Sequence, residues 1–139
     1  MKILVVDING RLYGFELKKT NRIVTDIKYT RIPFVPDIFL GVTILMGEVV
    51  TLVSLNRILK IEDFEGKEDM FLLMKGRESS WGFPICNIYD IVEINDDEVE
   101  KLDDPYIRGD FKINEKVVLL VDTDKIEDHL YESVSALQE

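Results

Sequence analysis

The chain has 139 residues, 46% of them hydrophobic and 32% charged, which is enough for one domain with its own core and too apolar for a disordered segment. Its net charge of −10 argues against broad binding to nucleic acid or anionic lipid, because both need a basic face. The single cysteine, Cys86, excludes an intrachain disulfide and suits a reducing cytosol.

Taken in order, Met1-Lys2-Ile3-Leu4-Val5-Val6-Asp7 is charged too early for a signal peptide and reads as a first strand, so a cytoplasmic protein is expected. Ile3–Ile8 and Arg11–Leu17 flank Asn9-Gly10, the residue pair that a tight hairpin turn prefers. Residues 21–28 suggest a third strand. Pro33 and Pro36 make 31–36 an extended connector.

Asp37–Leu55 is the most apolar stretch, yet Gly41, Gly47, Glu48 and Thr51 interrupt it, and a membrane-spanning helix wants roughly 20 nearly uncharged residues. It reads instead as a hairpin, Phe39–Leu45 and Val49–Val53, turning at Gly47. Ser54 caps a short helical turn over 54–59, and the acidic segment 62–69 links to a second half.

There the pattern repeats, with strands expected at 70–75, 81–85, 88–94, 107–113 and 116–121 and a turn at Asn114-Glu115. Residues 95–104 form a second acidic stretch. From Thr123 the apolar period changes: Ile126, Leu130, Val134 and Leu137 share one helical face, with Thr123 or Asp124 as cap. This helix, 124–137, is expected to pack across the other repeat.

Shifted by 68 positions without a gap, the chain aligns with itself. Gly14-Phe15 falls on Gly82-Phe83, Tyr13 on Trp81, Gly41 on Gly109 and Leu52-Val53 on Leu120-Val121, among eleven identities. That is an internal duplication. Five short strands per copy predict an all-β fold of two pseudo-symmetric five-stranded barrels, 3–61 and 71–127, sharing a core within one domain, 1–139, plus a C-terminal helix.

No catalytic constellation assembles. His129 is the only histidine, Cys86 lies in an apolar strand with no cation nearby, and the isolated glycines form no phosphate-binding loop. The acidic segments match no calcium loop, and Tyr13 and Trp81 read as core anchors rather than a ligand platform. No enzyme, cofactor or metal is expected.

From about Ile3 to Leu130 the chain resembles the CheW family of chemotaxis adaptors. The resemblance rests on Tyr13-Gly14-Phe15, Ile32-Pro33, the run from Gly41 to Leu55, Gly82–Val92 and Tyr106-Ile107-Arg108-Gly109. It implies two Src-homology-3-like β-barrels, no catalysis, and two partners: the regulatory domain of the histidine kinase CheA and the cytoplasmic tip of methyl-accepting receptors in membrane-attached arrays.

By motif position the resemblance implies kinase contacts at Leu17, Thr20 and Arg22 and receptor contacts at Gly41, Met46 and Ile88. Gly47 and Gly109 are expected as structural turn residues, and Gly41 has a structural reading of its own, as a bend. The family's arginine before the turn glycine is Met46 here, and a thioether cannot replace five N–H donors. Met46 and Asn56 favour one alternative to an adaptor, a regulatory module that binds the kinase but not receptors; a separate alternative, from another class, is a barrel holding a small ligand between the repeats.

Overall fold

A computed structural model describes residues 1–138, with side chains described for 1–134. The strands are β1 (Lys2–Ile8), β2 (Arg11–Glu16), β3 (Thr20–Thr25), β4 (Phe39–Leu45), β5 (Glu48–Val53), β6 (Met70–Met74), β7 (Trp81–Pro84), β8 (Asn87–Glu93), β9 (Glu100–Lys101), β10 (Ile107–Ile113) and β11 (Lys116–Val121). Helix α1 spans Leu55–Ile58 and α2 spans Thr123–Gln138. The fold is mainly β with one long C-terminal helix, as expected.

Three two-residue loops turn the tight hairpins, and both residues of each have positive φ: Asn9 53° and Gly10 82°, Met46 52° and Gly47 81°, Asn114 50° and Glu115 68°. This is the turn whose twist matches that of paired strands. The register agrees, since Ile8 pairs with Arg11, Leu45 with Glu48 and Ile113 with Lys116.

The strands form two sheets, β8-β1-β2-β11-β10-β9 and β3-β6-β7-β5-β4. Each sheet's edge strands are consecutive in the chain (β8 and β9, β3 and β4), so the connecting segment runs along the open side. At one point it pairs, where Thr30 bridges Val42. The sheets are therefore strongly curled and barrel-like without being closed.

The assignment of one barrel to 3–61 and the other to 71–127 needs correction. Hairpin β1–β2 of the first half lies with β8, β10 and β11 of the second, and hairpin β6–β7 lies with β3, β4 and β5. The joints are parallel and reciprocal: Leu120 pairs with Gly14, and Leu52 with Gly82. The exchange lets each first hairpin bury both faces. Ile3 and Val5 enter a core with Phe111, Val118 and Leu120, while Leu4 and Val6 face a shared core between the sheets. A half of about 65 residues could not bury both faces alone.

The shared core also holds Tyr13, Phe15, Leu72, Trp81 and Phe83. Phe15 and Phe83, equivalent in the repeat, meet there with ring centroids 5.1 Å apart. From α2, Ile126 and Leu130 join the same core, and the Lys19–Asp124 ion pair at 2.6 Å ties the helix to the first half. The helix cap is Asp122 rather than Thr123 or Asp124: its carboxylate accepts the Lys125 N–H at 3.2 Å. The expected cap at Ser54 forms, accepting the Arg57 N–H. Val134 is 40% exposed, and the side chain of Leu137 lies outside the described residues.

Candidate docking surface

Strand β3 is an edge strand, and the β4–β5 hairpin lies on the far side of the same sheet. The sheet curls enough for the two to meet. Arg22 Nη1 on β3 donates to Met46 Sδ at the hairpin tip, 2.9 Å away. Beneath this corner Glu48 Oε1 accepts the Ser80 N–H at 2.7 Å, and Asn21 Nδ2 donates to Ser80 Oγ at 2.9 Å, which fastens the hairpin base to β3. The bond from the Ser80 N–H holds the Glu48 carboxyl below its ordinary range, and the Arg22 guanidinium adds to this.

The tip is apolar and in water. Ile44, Met46 and Val49 are 70%, 89% and 53% exposed, and Ile44 pairs directly with Val49. Nothing in the turn requires this. The other two tight turns place asparagine, which tolerates positive φ, where this one has methionine. A bulky side chain in the left-handed region costs about 1 kcal/mol. Strain spent on an exposed side chain that buries nothing points to contact with something outside the chain.

Of the residues expected to contact the kinase, only Arg22 is exposed. Leu17 sits in a short 3₁₀ turn, half-buried against the shared core, and Thr20 Oγ1 donates to the Leu17 carbonyl at 2.7 Å. Among the receptor residues, Gly41 is buried inside β4 at a bulge, where a Cβ would come within 2.3 Å of the Thr30 carbonyl oxygen. Its role is to let two backbones cross.

Gly109 does the same in β10, with the Glu100 carbonyl oxygen 2.4 Å from its would-be Cβ, so it is a bulge residue and not the turn residue expected. Gly47 does sit in the turn, and a Cβ there would touch nothing; only its φ of +81° matters. Ile88 is half-exposed on β8, the edge of the other sheet. The structure thus joins Arg22 to Met46, for which the family resemblance implies different partners, and leaves Ile88 on the other sheet.

Ile44 and Val49 were missed because apolar residues in a strand read as core. The repeat carried a signal: Lys112 stands at the position equivalent to Ile44, and Asn114 at that of Met46. Positions that accept lysine and asparagine in one copy face water in both.

The remaining chemistry is sparse. Among the described residues no group of three histidine, cysteine or acidic side chains could hold a metal ion. Cys86 is half-buried, its sulfur accepting the Asn9 N–H at 3.4 Å, and His129 stacks near Tyr106 with centroids 5.6 Å apart. Tyr13 and Trp81 are buried in the shared core between the sheets, as core anchors. No described helix is long and apolar enough to cross a membrane.

The CheW-like domain family pattern matches residues 2–130. The chemotaxis protein CheW of Bacillus subtilis (strain 168) is 25% identical over 100 residues, covering 71% of this chain and 64% of that protein's length. The scaffolding protein TtCheW from Thermoanaerobacter tengcongensis superposes with a TM-score of 0.77 at 20% identity, over 87% of this chain and 88% of that one. Since the match covers all of the strands and the first half of α2, the chain belongs to the CheW-like domain family.

Proposed function

We propose that this protein is a non-enzymatic chemotaxis adaptor that couples methyl-accepting receptors to the histidine kinase CheA. It works in the cytoplasm at membrane-attached receptor arrays, binding the kinase's regulatory domain and the receptors' cytoplasmic tips. The observation that supports this best is the strained, solvent-facing corner of Arg22, Ile44, Met46 and Val49 on a chain of this family. A few apolar anchors beside an arginine are the usual energetic centre of a protein interface.

The alternative module, which binds the kinase but no receptor, draws on Met46 in place of the family's arginine. The corner weakens that reading, because Arg22 brings a guanidinium to within 2.9 Å of the Met46 sulfur. A cation stands at the tip although position 46 carries none.

Titration calorimetry with the CheA regulatory domain and with a receptor-tip fragment from the same genome tests the proposal. Micromolar or tighter binding to both supports the adaptor. Binding to the kinase domain alone selects the regulatory module, and binding to neither rejects both.

A further inference from the structure

A cleft of about 400 Å³ opens between the β1–β2 hairpin and the segment that leaves α1, with Arg11, Tyr13, Lys60 and Glu62 among its lining residues. It shares no residue with the docking corner. The hairpin belongs to one sheet and α1 follows the last strand of the first half in the other, so the cleft bridges the two. Hydrogen bonds hold its walls in place. Asn9 Nδ2 donates to the Asp63 carbonyl at 2.9 Å, Asn9 Oδ1 accepts the Glu65 N–H at 2.9 Å, and Asn56 Nδ2 donates to the Glu62 carbonyl at 2.7 Å.

One polar atom bordering the cleft has no partner. The Tyr13 ring packs in the shared core, only 1% exposed, and its hydroxyl makes no hydrogen bond among the described residues. A buried hydroxyl left unpaired is costly, and native structures seldom keep one. Burial raises the Tyr13 pKa, and the Arg11 guanidinium beside the hydroxyl opposes that rise. Arg11 and Lys60 are both exposed. Neither enters an ion pair among the described residues, although the chain carries 27 acidic side chains to 17 basic ones. Lys60 also holds a φ of 58° just past α1, where glycine is the usual residue.

The second copy offers a comparison. At the offset of 68, Trp81 stands for Tyr13, and its indole N–H is likewise buried without a partner. Ser79 and Asp128, however, stand where the first copy has Arg11 and Lys60, and Asp128 is paired with Arg77. Only the first copy sets two unpaired cations beside its buried donor. A guanidinium, an ammonium and a hydroxyl suit a compact dianion, since arginine takes two oxygens side by side and lysine acts as a point charge. The Glu62 carboxylate opposes an anion and holds the affinity to the millimolar range. Because Arg11 is exposed, its side chain can shift to admit an oxygen to the hydroxyl.

We propose that Arg11, Tyr13 and Lys60 form a binding site for a small free dianion of the phosphate class, which links the β1–β2 hairpin to the segment after α1. The site stands apart from the adaptor reading.

The test is a heteronuclear NMR titration of the full chain with inorganic phosphate at constant ionic strength, with acetate as the monoanionic control and a capped phosphoserine peptide as a third arm. Phosphate should shift the backbone signals of residues 11–13 and 60–62 saturably, acetate should bind about fivefold more weakly or less, and the peptide should bind no tighter than phosphate. Arg11→Gln and Tyr13→Phe should each weaken phosphate by about tenfold, the scale of one hydrogen bond to a charged group. In chloride alone Tyr13→Phe should melt no lower than wild type, because the hydroxyl it removes has no partner, and phosphate should raise its midpoint less.

Shifts that fail to saturate, or that persist unchanged in both variants, would overturn the site. So would a Tyr13→Phe protein that melts well below wild type in chloride, since the hydroxyl would then already be satisfied. Acetate binding equal to phosphate would overturn the dianion, and a peptide binding about tenfold tighter than phosphate would overturn the free ligand in favour of a partner's phosphorylated side chain.

Discussion

At the scale of single residues, Met46 shows a conflict between stability and exposure. Asparagine at this φ of 52° would relieve strain that methionine bears, as Asn9 and Asn114 do at 53° and 50°. Met46→Asn should therefore raise the free energy of unfolding by about 1 kcal/mol in urea titrations, with an unchanged denaturant slope. Tyr29 gives a prediction of a different kind. Its hydroxyl donates to Glu68 Oε2 at 2.5 Å, and burial first, then this bond, raise its pKa from 10.0 to about 12.

A pKa raised on folding contributes stability that is complete below the unfolded value and lost as pH climbs through the folded one. Wild type should thus lose stability between about pH 10 and 12, followed by the thermal midpoint. Tyr29→Phe should lack that step and be less stable by about 1 kcal/mol at neutral pH, with the two curves converging in alkali.

At the scale of elements, the bulges in β4 and β10 mark where a preceding backbone segment crosses a strand. The glycines there have a steric role of equal severity, since the carbonyl oxygens of Thr30 and Glu100 lie 2.3 and 2.4 Å from the would-be Cβ atoms. Gly41→Ala and Gly109→Ala should each cost about 1–3 kcal/mol in chemical denaturation, the range of overpacked sites. Gly47→Ala meets no atom and should cost only the backbone term, about 1 kcal/mol. Equal losses at all three positions would contradict the distinction between crossing and turn. The C-terminal helix is anchored by Ile126, fully buried in the shared core, so Ile126→Ala should cost about 2–5 kcal/mol.

At the scale of the molecule, the exchange of hairpins between repeats makes each sheet depend on both halves. Residues 1–66 alone would leave β2 and β5 without their parallel neighbours and the shared core half-built. Each half expressed separately should lack a cooperative thermal transition, and an equimolar mixture should regain one. A half that folds alone would show that strands of one repeat can pair with each other instead. The same exchange places Lys19 against Asp124 at the start of α2, where the Lys19 partner holds the aspartate's pKa down and secures the helix to the opposite repeat.

Much of this was legible in the linear chain. Strand alternation, the Asn-Gly and Met-Gly turns, the helical period after Thr123 and the offset of 68 all rest on neighbours close in sequence or on identity between copies. They determined ten of the eleven strands, the long helix and the pseudo-symmetry, while β9, two residues within a stretch that reads as an acidic loop, was not foreseen. Which hairpin joins which sheet was not legible, because the two copies are alike and pairing within or between halves satisfies the same local patterns. Burial of both faces of β1 and β6 decided it. Nor could spacing reveal that Arg22 and Met46 meet. They lie 24 positions apart, on opposite sides of one sheet, and only its curl brings the guanidinium to the sulfur.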